Sequence, residues 1–301
     1  MKHHINRGMW AAAWLGMACL VPVSTASAQS AGMASPVAAM TVPSGIVTAS
    51  APASTAPADV LADVLAVKPC RSKAAIAGLD TALPNVARRL ASNETVTVVA
   101  VGSSSTAGAG ASSPAFSYPS RLASELKRRL PNAAFTVINR GVNGEIIPDM
   151  LTRMDSAVLA QNPDLVIWQL GTNTVVRDQD AAPLSALVHD GIRRIRAHGA
   201  DVILVDPQYA PKVIEKAGAQ AMLDLLAGAA HDENVALFHR YAVMKSWHDA
   251  EHMPFDDFIT PDALHLNDWG YSCFAHLLGE AITGALPMHA AQAPGTALAP
   301  R

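Results

Sequence analysis

Between residues 95 and 283 the chain alternates short apolar runs with longer stretches in which apolar residues recur every three or four positions. The runs at 95–101, 135–139, 164–170, 201–206 and 235–238 are rich in Val and Ile. They are too short for helices and lack the polar alternation of a half-exposed strand, so they predict strands buried on both faces. The stretches between them read as helices. Leu122, Leu126 and Leu130 return every four residues, and Leu184, Leu187, Val188, Ile192 and Ile195 mark one helical face that stops at Gly199. A further helix follows residue 265, with Trp269, Phe274, Leu277, Leu278 and Ile282 as its apolar face. Strand and helix in strict alternation predict an α/β fold with a parallel sheet covered by helices on both sides. In such folds ligands meet the carboxyl ends of the strands, so the residues just after each strand carry the chemistry.

The ends of the chain follow other patterns. Residues 1–28 combine Lys2 and Arg7, an apolar run from Met9 to Val23 and the small residues Ala26-Ser27-Ala28, the order of a cleavable signal peptide. The run is too short to span a bilayer, and Gly16-Met17-Ala18 before Cys19 makes a poor lipidation signal. The expected destination is periplasmic or secreted, with no integral membrane segment after cleavage. Residues 29–68 read as a linker, Ala-, Ser- and Pro-rich up to about Ala58. Residues 69–286 form the expected catalytic domain with its N-terminal extension, and residues 287–301 a flexible tail. Val60, Leu61, Val64 and Leu65 hint at helix ahead of the domain, with Pro69 and Pro84 as interruptions.

The 301 residues carry 22 Lys and Arg against 25 Asp and Glu. The signal segment takes two of the basic residues and none of the acidic ones, so the exported chain is the more acidic and offers no basic face for nucleic acid. Cys70 and Cys273 remain after cleavage. In an oxidising compartment they either bridge or stay as two buried thiols, and the sequence leaves both open.

Four polar signals stand where the sheet would present its site: Gly102-Ser103-Ser104-Ser105-Thr106-Ala107-Gly108, then Asn139-Arg140-Gly141-Val142-Asn143-Gly144, then Gly171-Thr172-Asn173, and finally Asp262-Ala263-Leu264-His265. In this order they resemble the sequence blocks of the SGNH hydrolases, also called GDSL esterases and lipases. The resemblance spans residues 95–283 and implies a three-layer α/β/α sandwich with a mainly five-stranded parallel sheet of flavodoxin-like type. It implies Ser104 as nucleophile, Asp262 and His265 as its acid and base, and an oxyanion hole made by the N–H groups of Ser104 and Gly144 and the amide of Asn173. Three positions depart from the family pattern. Ser103 and Thr174 replace frequent aspartates and Leu266 a frequent proline, and the first change alters the hydrogen bonding available beside the nucleophile.

The chemistry implied is cleavage of an ester-linked acyl group in a small molecule or polysaccharide, with no metal and no organic cofactor. Transfer of the acyl group to a sugar hydroxyl would use the same residues, and a non-catalytic polysaccharide-binding or assembly role is the third reading. Acyl-chain length and oligomeric state are not legible. His248-Asp249-Ala250-Glu251-His252 fits the H-x-x-E-H pattern of inverse zinc peptidases, but the only later glutamate is Glu280, and a solvated helix face is the expected reading. His198, His231 and His276 are expected at the surface or at helix ends.

Overall fold

A computed structural model describes residues 68–287. The expected signal peptide, almost all of the linker and all but the first residue of the tail lie outside these residues. Five strands, β1 (Val96–Gly102), β2 (Phe135–Gly141), β3 (Leu165–Gln169), β4 (Asp201–Val205) and β5 (Ala236–Phe238), form one sheet in the order β2-β1-β3-β4-β5. Every pairing is parallel. The helices used below are α1 (Pro84–Ala91), α2 (Ser104–Ala107), α3 (Tyr118–Arg129), α4 (Ile147–Thr152), α5 (Thr172–Val176), α6 (Ser185–Ala197), α7 (Ala219–Glu233), α8 (Arg240–Asp249) and α9 (Asp268–Gly284).

The two-residue period of the strands divides the core. Val98, Ala100, Leu165, Ile167, Ile203 and Val205 face one side, against Leu122 and Leu126 of α3 and Phe274 and Leu278 of α9. Val99, Val101, Val166, Trp168, Val202 and Leu204 face the other, against Ile192 and Ile195 of α6 and Met222 and Leu226 of α7. All these side chains are buried. The result is the expected three-layer sandwich, and the chain reverses its direction across the sheet between β1 and β3, where a doubly wound sheet opens its crevice.

Three local expectations need correction. Pro84 does not interrupt a helix but begins α1. Its missing N–H lies where an N-terminal helix residue has no intrahelical partner, and the next two N–H groups donate to Asp201 Oδ2 at 2.9 and 3.0 Å. His276 is half-buried and not at a helix end. It lies within α9, with Nδ1 2.9 Å from Glu125 Oε1. The H-x-x-E-H stretch does not share a helix face, because α8 stops at Asp249 and His252 has a φ of +52°. His248 instead stacks on Phe255, ring centroids 4.2 Å apart. Cys70 and Cys273 form a disulfide with a Cα–Cα distance of 5.3 Å. Among the described residues no helix is long and apolar enough to cross a membrane.

Candidate active site

The carboxyl ends of β1, β2 and β3 lie side by side, and each leads into one of the polar stretches picked out in the sequence. β1 runs through Gly102 into Ser103, and α2 then begins at Ser104. Ser104 N–H, the first of α2, has no backbone acceptor among the described residues. The same holds for Gly144 N–H in the turn after β2. Asn173 lies in α5, just after β3, and its Nδ2 donates to Glu145 O at 2.8 Å. That bond fixes which end of the amide faces the turn and leaves a second N–H on the same nitrogen.

Asp262 and His265 arrive from a compact loop between α8 and α9. The loop is closed by an antiparallel bridge between Ile259 and Leu266, by Thr260 N donating to His265 O at 2.8 Å, and by Asn267, whose Oδ1 caps α9 at Gly270 N. Within it, Asp262 Oδ1 accepts from Thr260 Oγ1 at 2.7 Å and from the N–H groups of Leu264 and His265 at 2.9 Å each. Asp262 Oδ2 lies 2.5 Å from His265 Nδ1, and His265 Nε2 lies 2.8 Å from Ser104 Oγ. Partial burial pushes the Asp262 carboxyl up, but the hydrogen bonds from His265, Thr260 and Leu264 outweigh it and hold the group well below the usual carboxylate range. An ionised Asp262 requires a proton on Nδ1, which leaves Nε2 free to accept one from the serine hydroxyl.

Ser103 and Ser105 are both buried, whereas Ser104 is half-buried and faces the imidazole. Ser103, in the place of the family's aspartate, donates from N and Oγ to Gln169 Oε1 at 3.0 and 3.1 Å, and Thr106 Oγ1 donates to the same oxygen at 3.2 Å. Gln169 thereby fixes the turn that carries Ser104 from the end of β3. Thr174, the second replaced aspartate, is buried.

Several supporting residues escape sequence reading. Asn139 Nδ2 donates to Thr106 O at 2.8 Å. Arg153 pairs with Glu145 at 2.5 Å and donates to Arg140 O at 2.8 Å, while Arg177 donates to Gly144 O at 2.6 Å. These bonds clamp the turn that carries Gly144. Their only signal in the sequence is polarity beside a Gly-rich turn, which any solvated loop shares. No group of three or more His, Cys, Asp or Glu side chains among the described residues is gathered as a metal ion would require.

Comparison with known proteins gives a family for this arrangement. Residues 69–287 match the model of the non-GDSL lipase-like family. Over 96 residues, 30% of the chain, the sequence is 29% identical to the esterase TesA of Pseudomonas aeruginosa, and the match covers 48% of that protein. The fold superposes on a two-domain esterase (CEX) active on acetylated mannans, with a TM-score of 0.61 and 23% identity, covering 74% of this chain and 60% of that one. It also superposes on the lipase/acylhydrolase from Enterococcus faecalis, with a TM-score of 0.53 and 25% identity, covering 64% of this chain and 97% of that one. The chain thus spans about half the length of TesA (48%) and 60% of the mannan-active esterase. The family match runs through the strands and loops that bring Ser104, Asn173, Asp262 and His265 to one edge of the sheet, and this chain belongs to the non-GDSL lipase-like family of SGNH hydrolases.

Proposed function

We propose that this chain is an exported carboxylic ester hydrolase that removes small acyl groups, acetyl above all, from a polysaccharide. The observation that carries the reading is the continuous line from Asp262 Oδ2 through His265 to Ser104 Oγ, with steps of 2.5 and 2.8 Å. His265 Nε2 takes the Ser104 proton as Oγ attacks the ester carbonyl. The oxyanion that forms meets the N–H groups of Ser104 and Gly144 and the free amide hydrogen of Asn173, each donor of this kind contributing about 2.7 to 4 kcal/mol to the transition state. The tetrahedral intermediate collapses, His265 returns the proton to the leaving alcohol, and an acyl group remains on Ser104. Water, activated by the same imidazole, then releases the acid. Export is supported by the order of charge, apolar run and small residues in residues 1–28. The polysaccharide is supported by the similarity to an esterase active on acetylated mannans.

The test is a chain-length series of p-nitrophenyl esters, with and without an oligosaccharide acceptor, joined to labelling by a fluorophosphonate probe. Hydrolysis should favour the acetyl ester, and the label should sit on Ser104. Ser104→Ala should lose labelling and all but a residual rate, Ser105→Ala should stay active, and Ser103→Ala, which loses its hydroxyl bond to Gln169, should fall between. A label on Ser103 or Ser105 in Ser104→Ala would refute the assignment. Acylation of the acceptor in place of release to water would make the enzyme a transferase.

A further inference from the structure

One buried side chain touches both halves of this site. Gln208, three residues beyond β4, is 1% exposed. Its Oε1 accepts from Arg240 Nη2 at 2.7 Å and from Thr172 Oγ1 at 2.8 Å, and its Nε2 donates to Leu264 O at 3.3 Å. Arg240 has no acceptor atom, so the carbonyl end of the amide must face it, and the NH₂ end must face Leu264. Arg240 is itself fully buried and donates from Nε to Asp206 O at 3.0 Å. Thr172 directly precedes Asn173, and Leu264 directly precedes His265.

The loop that presents His265 needs this hold. Ala263 has a φ of +60°, a conformation that costs a non-glycine residue on the order of 1–2 kcal/mol. Two peptide groups lie between Ala263 and His265. Their N–H groups both go to Asp262 Oδ1. One of their carbonyls, Ala263 O, accepts from Lys212 N at 3.1 Å, and the other, Leu264 O, accepts from Gln208. Each peptide is pinned at both ends, and Gln208 provides the one side-chain pin from outside the loop.

We infer that Gln208 is a positioning residue, one that sets the His265 loop in register with the Asn173 helix by joining Leu264 to Thr172 on a base fixed by Arg240. The inference rests on the proposed roles of Ser104, Asn173 and His265. Gln208 touches no reacting atom and acts through the loop.

Gln208→Glu is the informative change. It keeps the shape and both acceptor contacts, gives Arg240 a counter-charge, and reverses only the third contact, setting a carboxylate oxygen against the Leu264 carbonyl. Amide exchange of Leu264 and His265, read by NMR on the full chain, should quicken by about tenfold or more. On p-nitrophenyl acetate kcat should drop by about tenfold to a hundredfold, with KM within about twofold and Tm within about 3 °C of the parent. Gln208→Leu, which loses all three contacts, should show the same kcat loss together with a lower Tm. Unchanged exchange at Leu264 and His265 in Gln208→Glu overturns the inference, and so does faster exchange with kcat intact. If Ser104→Ala keeps the parent's esterase activity, the proposed function falls. The exchange measurement needs no turnover and still decides whether Gln208 holds the loop.

Discussion

Gly144 has a φ of +79°, and an added Cβ would find its nearest neighbour, Arg177 Nη2, at 3.5 Å. A larger residue there is opposed by backbone conformation and not by crowding, at on the order of 1–2 kcal/mol. Gly144→Ala should therefore fold with a modest loss of stability while its N–H turns away from the place proposed for the oxyanion. The expected signature is a kcat reduced by about a hundredfold or more with KM nearly unchanged, set against a small shift in the urea midpoint. A loss of activity that merely tracks the fraction unfolded would remove Gly144 from the proposed oxyanion hole. Gly144, like Ser104, Asn173, Asp262 and His265, is legible in the sequence because its block keeps a local spacing. Gln169 and Gln208 are not, since their partners Ser103 and Leu264 lie 66 and 56 residues away. A polar residue after a strand discloses nothing of what it will meet across the sheet.

Among the elements, α3 and α9 pack closely, and Glu125 lies in the contact with its side chain 1% exposed. It accepts from Arg128 Nη2 at 2.7 Å, Arg129 Nε at 3.0 Å and His276 Nδ1 at 2.9 Å. Burial pushes its carboxyl up, but the bonds from His276 and Arg128 outweigh this and hold it down at about 2. A carboxyl depressed on folding stabilises the native state above its unfolded pKa of about 4.3. That contribution, roughly 3 kcal/mol, is lost as pH falls from about 5 towards 2. Glu125→Gln should accordingly be less stable than the parent in urea at pH 7, and the gap should fall to about half by pH 3 and close only near pH 2 and below. A gap that stays constant across that range would rule out this carboxylate as a source of acid sensitivity. The helices themselves follow from their apolar faces, and the strands from unbroken Val and Ile runs that both covered faces of the sheet permit. α1 is hidden because a proline at a helix start and a proline that ends one look alike until Asp201 is seen beneath it.

Over the whole molecule, the segment around Cys70 lies across the far end of the chain. Lys68 O accepts from Trp269 Nε1 at 2.8 Å, Arg71 O accepts from Trp247 Nε1 at 3.1 Å, and between them Cys70 is bonded to Cys273 of α9. The disulfide joins residues 203 positions apart, and closing so long a loop stabilises by about 5 kcal/mol in the chain-entropy account. Cys70→Ser should lower the thermal midpoint by roughly 10 °C or more while the kcat of the remaining folded protein changes little, since neither sulfur reaches Ser104 or His265. An unaltered midpoint would mean that the bond is not formed in the purified protein.

That one covalent link encloses all five strands and every residue assigned to the site. A protease that cuts any surface loop between Cys70 and Cys273 produces two pieces that stay tied together. Such a clipped enzyme would run as a single band in a denaturing gel until a thiol is added, and only then separate into its fragments.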